Sequence, residues 1–154
     1  MSTTFAVFAA IFVVFAAVPA TFAAHRTTTG LGLLQAVNAA RKAHGLRPLR
    51  LDPTLTQAAR AHTSDMLRRD YFAHGDFSGR MAAFHVSLHT AGENLAWGTG
   101  PYGQADEVVQ AWLASPEHRA NLLASGYSRI GIGLARGTFL GSGDATVVTA
   151  DFAG

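Results

Sequence analysis

Apolar side chains at Leu33, Leu34, Val37 and Ala40 recur at three- and four-residue steps until Gly45 interrupts them, which predicts an amphipathic helix over about 31–44. A second stripe, Leu55, Ala58, Ala59, His62 and Met66, follows Asp52-Pro53, with Asp as N-cap and Pro as the first helical residue. Residues 70–80 mix aromatic and turn-forming side chains and read as a loop, followed by a short helix over Met81 to Leu88. Val108, Val109 and Trp112 mark a further helix, whose first turn places Asp106 and Glu107 at the positive end of its dipole. Ser115-Pro116 ends it and opens another, with Ser115 as cap and Glu117 and His118 in the first turn. From Ile130 the period shortens to two. Ile130, Ile132 and Leu134 alternate with small or polar residues, Thr138 to Asp144 supplies turn chemistry, and Ala145 to Phe152 reads as a returning strand. Helices in the first two thirds and strands at the end imply an α+β domain, its sheet covered by helices.

The chain begins differently. Residues 1–24 carry no charged side chain, and Phe5 to Ala24 is almost wholly Ala, Phe, Val and Ile until His25 and Arg26. Two readings fit: an export signal removed after Ala23 (or Ala20), or an anchor that stays in the membrane. Pro19 and the small-residue end Thr21-Phe22-Ala23 favour cleavage, although no Lys or Arg precedes the apolar run. The organisation expected is a signal or anchor over 1–23, a linker over 24–32 and one domain over 33–154.

Composition narrows the partners. Half-apolar content (49%) in 154 residues supports one packed core and excludes a disordered polyelectrolyte. The net charge is only +2, and the Arg residues are scattered rather than gathered on one segment, which argues against a nucleic-acid partner. The absence of cysteine removes disulfide scaffolds, thiol nucleophiles and Cys-based zinc sites.

Local catalytic motifs are missing. Gly98-Thr-Gly100-Pro-Tyr-Gly103 has the spacing of a dinucleotide loop, but it sits outside any βαβ unit and reads as a turn. No GxSxG or HExxH occurs. Among the histidines, His62 falls on an apolar helix stripe and suits a hydrogen-bonded core position. His85 and His89, four apart, form either a metal pair or a solvated helix face, the second being favoured. His74, in a Tyr-Phe-x-His-Gly-Asp loop, and His118, in a tightly specified helix start, are the two with a claim to chemistry. Tyr71, Phe72, Phe77 and Trp97, in or beside these segments, either face a binding site or pack as walls, and walls are favoured.

His74, the run Gly92-Glu93-Asn94-Leu95-Ala96-Trp97, and Trp112-Leu-Ala-Ser115-Pro116-Glu117-His118-Arg119-x-Asn121-Leu122-Leu123 together resemble the CAP (SCP-like) superfamily, in its short cysteine-free bacterial form. Val37-Asn38-x-x-Arg41, Ala59-x-x-His62-x-x-Asp65-Met66, Tyr127-x-x-Ile130-Gly131-Ile132-Gly133 and Asp151-Phe152 support it in the same order along the chain. The resemblance implies an α–β–α sandwich with a central antiparallel sheet and a wide cleft. It also implies a cleft of two His and two Glu able to hold a divalent cation, often zinc. Matched by motif, His74 and His118 are the histidines and Glu93 is one acid. The position of the other acid, three after Trp112, holds Ser115, and Glu117 is a substitute by proximity in sequence alone. Two imidazoles and a carboxylate would give zinc three ligands and an open position.

A secreted binding module for a lipid, sterol, cell-wall component or protein is therefore the leading expectation, with contact to a membrane only through a retained N-terminal segment. A metal-dependent hydrolase using His74, Glu93 and His118 is the alternative, and an exported structural protein is the third.

Overall fold

The computed structural model describes residues 28–87 and 89–154. The segment 1–23, residues 24–27 of the expected linker and Leu88 lie outside the described residues. The elements are α1 (Gly30–Ala43), β1 (Arg50–Leu51), α2 (Pro53–Arg69), α3 (Phe77–Ala83), β2 (Ala91–Thr99), a 3₁₀ turn (Gly100–Gly103), α4 (Ala105–Ala114), α5 (Pro116–Leu122), β3 (Arg129–Phe139) and β4 (Ser142–Ala153). The strands form one sheet in the order β1-β3-β4-β2. Three long strands run antiparallel, and the two-residue β1 joins β3 in parallel at the edge.

Local chemistry explains most boundaries. Asp52 caps α2 as expected, its Oδ1 accepting from the amides of Thr54 and Leu55 at 2.8 and 3.0 Å. Thr29 caps α1 by accepting from the Gly32 amide, so the helix starts at Gly30 and takes in the last three residues of the expected linker. The 70–80 segment is not all loop. Asp76 accepts from the Gly79 amide at 2.8 Å and starts α3 at Phe77, four residues before the expected helix, and α3 ends at Ala83. His85, with φ of 55°, lies beyond that end in a left-handed turn, so it cannot share a helix face with His89; both are exposed.

The sheet is covered on both faces. On one, α1, α4 and α5 bring Leu33, Val37, Val108, Trp112 and Leu122 against Ile130, Ile132, Val148, Ala150 and Phe152. On the other, α2 and α3 bring Leu55, Ala58, Met66, Phe77 and Met81 against residues such as Val147 and Ala153. The alternation of β3 now has a reason. A Cβ on Gly131 would lie 2.1 Å from the Leu55 carbonyl carbon, and one on Gly133 would lie 2.3 Å from the Ala59 oxygen. The backbone of α2 rests directly on this strand, in space that any side chain would fill.

Arg41 closes the opposite layer. Only 1% exposed, its guanidinium donates to the carbonyls of Arg47, Leu122, Ala124 and Tyr127 at 3.0, 2.9, 3.0 and 3.4 Å. One side chain from α1 thus ties the approach to β1, the end of α5 and the approach to β3.

Candidate functional site

Glu93 is the centre of the site, and the strand that carries it is shaped around it. On β2, Glu93 turns toward α2 and α3 while its neighbour Asn94 turns toward α5. The Asn94 amide donates to the His118 carbonyl at 2.9 Å, and Asn121 donates to the Glu93 carbonyl and to Asn94 Oδ1. Gly92 leaves room for this network, since a Cβ there would meet the Tyr127 hydroxyl at 2.5 Å and Asn121 Oδ1 at 2.7 Å. Each residue of the Gly-Glu-Asn run therefore has its own structural reason.

Four side chains gather at the Glu93 carboxylate, which is fully buried. His74, from the loop between α2 and α3, donates from Nδ1 to Oε1 at 2.7 Å. Arg80, from α3, pairs through Nη2 with Oε2 and donates through Nη1 to the His74 carbonyl at 3.3 Å. His62 Nε2 lies 3.9 Å from Oε2 and donates to the Ala73 carbonyl at 3.0 Å. Asp151, the cross-strand partner of Glu93 in register, is also fully buried, with Oδ1 3.9 Å from Arg80 Nη2.

The electrostatics follow from burial. Desolvation pushes the Asp151 carboxyl well above the usual carboxylate range, and the neighbouring Glu93 charge pushes the same way. Burial also raises Glu93, to about 7, against the pull of Arg80. Among the described residues no N–H or hydroxyl group donates to either oxygen of Asp151, and its hydrogen-bonding contact is with the Glu93 carboxyl. Two ionised carboxylates can only accept, so this pair is satisfied when Asp151 keeps a proton directed at Glu93. Glu93 is the ionised member because Arg80 and His74 both donate to it. His62 is held neutral, its pKa lowered to about 4 by burial and then by the Arg80 charge.

His118 is placed differently. Its Nδ1 meets Ser115 Oγ at 2.9 Å, so the hydroxyl expected to cap α5 is turned to the imidazole and makes no cap bond. Burial lowers the pKa of both His74 and His118, and the Glu117 charge opposes that shift in each, which puts Glu117 within electrostatic reach of both rings. The structure thus joins His74 to Glu93 and seats His118 on Ser115. Among the described residues, no three His, Asp or Glu side chains stand close enough to hold a metal ion. A divalent cation bound at Glu93 would have to displace a guanidinium already paired there.

Beside the cluster lies a cavity of about 440 Å³ lined by Ala61, His62, Asp65, Arg69, Tyr71, Gly75, Asp76 and Arg80. Tyr71 donates to Asp65 at 2.8 Å, and Arg69 lies over the Tyr71 ring with 5.2 Å to its centroid. The other aromatics are largely walls: Phe72 and Trp97 both pack edge-on against Phe139, and Phe77 is buried under Arg80. Arg80 and Asp151 carried no assigned role in the sequence. Asp151 had one available signal, a charged residue inside the apolar strand Val147–Phe152. Arg80 had none beyond Asp76 as an unrecognised helix cap.

The profile of the Cysteine-rich secretory protein family, CAP, matches residues 34–152. The Bacillus subtilis protein YkwD is 40% identical over 106 residues, 66% of this chain and 40% of its own length. The membrane protein YlbC of the same organism is 34% identical over 116 residues, 72% of this chain and 33% of its own. The chain therefore spans less than half the length of these relatives. Among solved structures, an extracellular SCP-domain protein of Bacillus anthracis superposes with a TM-score of 0.68 at 27% identity, covering 79% of this chain and 38% of the other. An outer surface protein of Borrelia burgdorferi gives 0.62 at 25% identity, covering 79% and 90%. The match runs from the first helix to the last strand and takes in the Gly-Glu-Asn strand, both cleft histidines and the glycine-faced β3. This chain belongs to the CAP family.

Proposed function

We propose that this CAP domain is an exported binding module that takes a polar ligand, a cell-wall fragment ahead of a lipid or sterol, in the cavity beside Arg80 and His62. The observation that carries this reading is the commitment of Glu93. Its carboxylate is buried and engaged by both Arg80 and His74, which leaves it unavailable as a general base. The cavity offers Arg69, Tyr71, Asp65 and Asp76, a lining suited to hydroxyl, amide and charged groups rather than a sterol. Export is supported by the apolar segment 1–23 and by relatives described as extracellular or outer-surface proteins. No helix among the described residues is long and apolar enough to cross a membrane.

Co-sedimentation of the purified domain with bacterial wall sacculi, beside phospholipid vesicles, tests the proposal. Saturable binding to sacculi is expected, weakened roughly tenfold by Arg69→Glu or Tyr71→Ala, as for loss of a central contact. Binding to vesicles alone would overturn the ligand class. Release of wall fragments that stops with EDTA and with His118→Ala would replace the binding module by the metal-dependent hydrolase.

A further inference from the structure

The cavity beside Glu93 has polar walls, and most of their hydrogen-bonding capacity is already taken. Asp65 accepts from Arg68, Arg69 and Tyr71. Arg80 is committed to Glu93 and the His74 carbonyl, and Asp76 Oδ1 accepts from the Gly79 amide. The two cations of the lining, Arg69 and Arg80, are thus both paired with carboxylates of the protein. His62 is the buried exception. Its side chain is only 4% exposed, yet it belongs to the lining, and of its two ring nitrogens only Nε2 makes a hydrogen bond. A carbonyl oxygen can only accept, so the bond to Ala73 fixes the ring proton on Nε2. In a neutral imidazole Nδ1 is then a bare lone pair, and among the described residues no group donates to it. Gly75, with φ of 60°, leaves this edge of the ring uncovered: a Cβ there would stand 3.7 Å from Cε1, the carbon bonded to Nδ1.

We propose that His62 Nδ1 is the acceptor that reads the ligand in this cavity, taking a hydroxyl or amide N–H from the neutral sugar part of a wall fragment. This rests on the wall-binding reading above and adds which part of the wall is held. A buried acceptor left without a donor costs free energy that a ligand donor restores. A carboxylate from the peptide part of the wall would instead set its own lone pairs against Nδ1, beside Asp65 and Asp76. The guanidiniums that would offset that charge are already paired. A saccharide unit brings several donors and no charge, which is what acceptors behind paired cations select.

Nitrogen NMR of imidazole-labelled protein, beside calorimetry, tests it with two probes: a soluble N-acetylglucosamine oligomer and a wall stem peptide. In the free wild type Nδ1 of His62 should resonate as an unprotonated nitrogen. The oligomer should bind saturably and move that resonance upfield, as for a lone pair that has gained a donor, while Nε2 keeps its proton. The stem peptide should move neither. His62→Gln, which retains an N–H for Ala73, should bind the oligomer roughly threefold to tenfold more weakly, the scale of one hydrogen bond. A protonated Nδ1 in the free protein, or saturable oligomer binding that leaves Nδ1 unmoved, would overturn the inference while the wall-binding reading stands. Binding of the stem peptide in place of the oligomer would do the same. If sacculi and both probes fail to bind, the underlying reading fails and the inference falls with it. The wild-type NMR decides even if His62→Gln does not fold.

Discussion

His62 shows how one side chain serves both core and site. It lies on the buried stripe of α2, as its helical spacing predicts, and its hydrogen bond to Ala73 agrees with a core histidine. The same ring flanks Glu93 and lines the cavity, which spacing alone does not reveal. Its pKa is about 4 in the folded protein against an ordinary value of 6.5, so the unfolded chain takes up the proton first as pH falls. The stability it contributes is whole above pH 6.5 and is lost between there and pH 4, a change of about 3 kcal/mol. In thermal melts from pH 7.5 to 4 the raised carboxyls of Glu93 and Asp151 push stability the opposite way, so the His62 contribution is read as a difference. His62→Gln, which keeps a donor for Ala73, should lose less stability on acidification than the wild type. A parallel decline in the variant would assign the acid sensitivity elsewhere. At this scale the legible residues were those in recognisable runs, His74 and Glu93 above all. Asp151 and Arg80 escaped because their meaning lies in a cross-strand register and in a helix that composition disguised as loop.

The relation of α2 to β3 was half legible. Alternation of Ile130, Ile132 and Leu134 with glycine gave the strand, but not why the intervening positions are bare. Contact with the α2 backbone is the reason, and it makes Gly131→Ala a severe substitution. The added methyl would meet Leu55 backbone at 2.1 Å, where nothing flexible can yield. A destabilisation of about 3 kcal/mol is expected, at the upper end for overpacking. Urea unfolding should report it as a lower midpoint, whereas Gly143→Ala, which meets nothing within 4 Å, should change little. The short β1 went unread because two residues carry no periodicity, and it is ordered by tertiary pairing with Arg129 and Ile130.

The three-layer architecture was expected from the family resemblance and is what the molecule adopts, with no cysteine to brace it. Part of that bracing falls to Arg41, whose buried guanidinium satisfies four carbonyls from separate parts of the chain. Arg41→Lys keeps the charge but cannot reproduce the planar fork, leaving some of those carbonyls without a donor. A loss of about 2–3 kcal/mol is expected in the same unfolding measurement. Retained stability would show that water or a shifted loop replaces the missing donors. The central strand β4 carries a different consequence. It is flanked along most of its length by β2 and β3, so its amides can exchange with solvent only when the whole sheet comes apart. Asp151 rides on that slowest unit, while Arg80 rides on a helix of seven residues at the periphery. The two groups thus belong to parts of the molecule held by unequal numbers of contacts. A local opening that lifted α3 off the sheet would uncover the acidic pair before the strands themselves part.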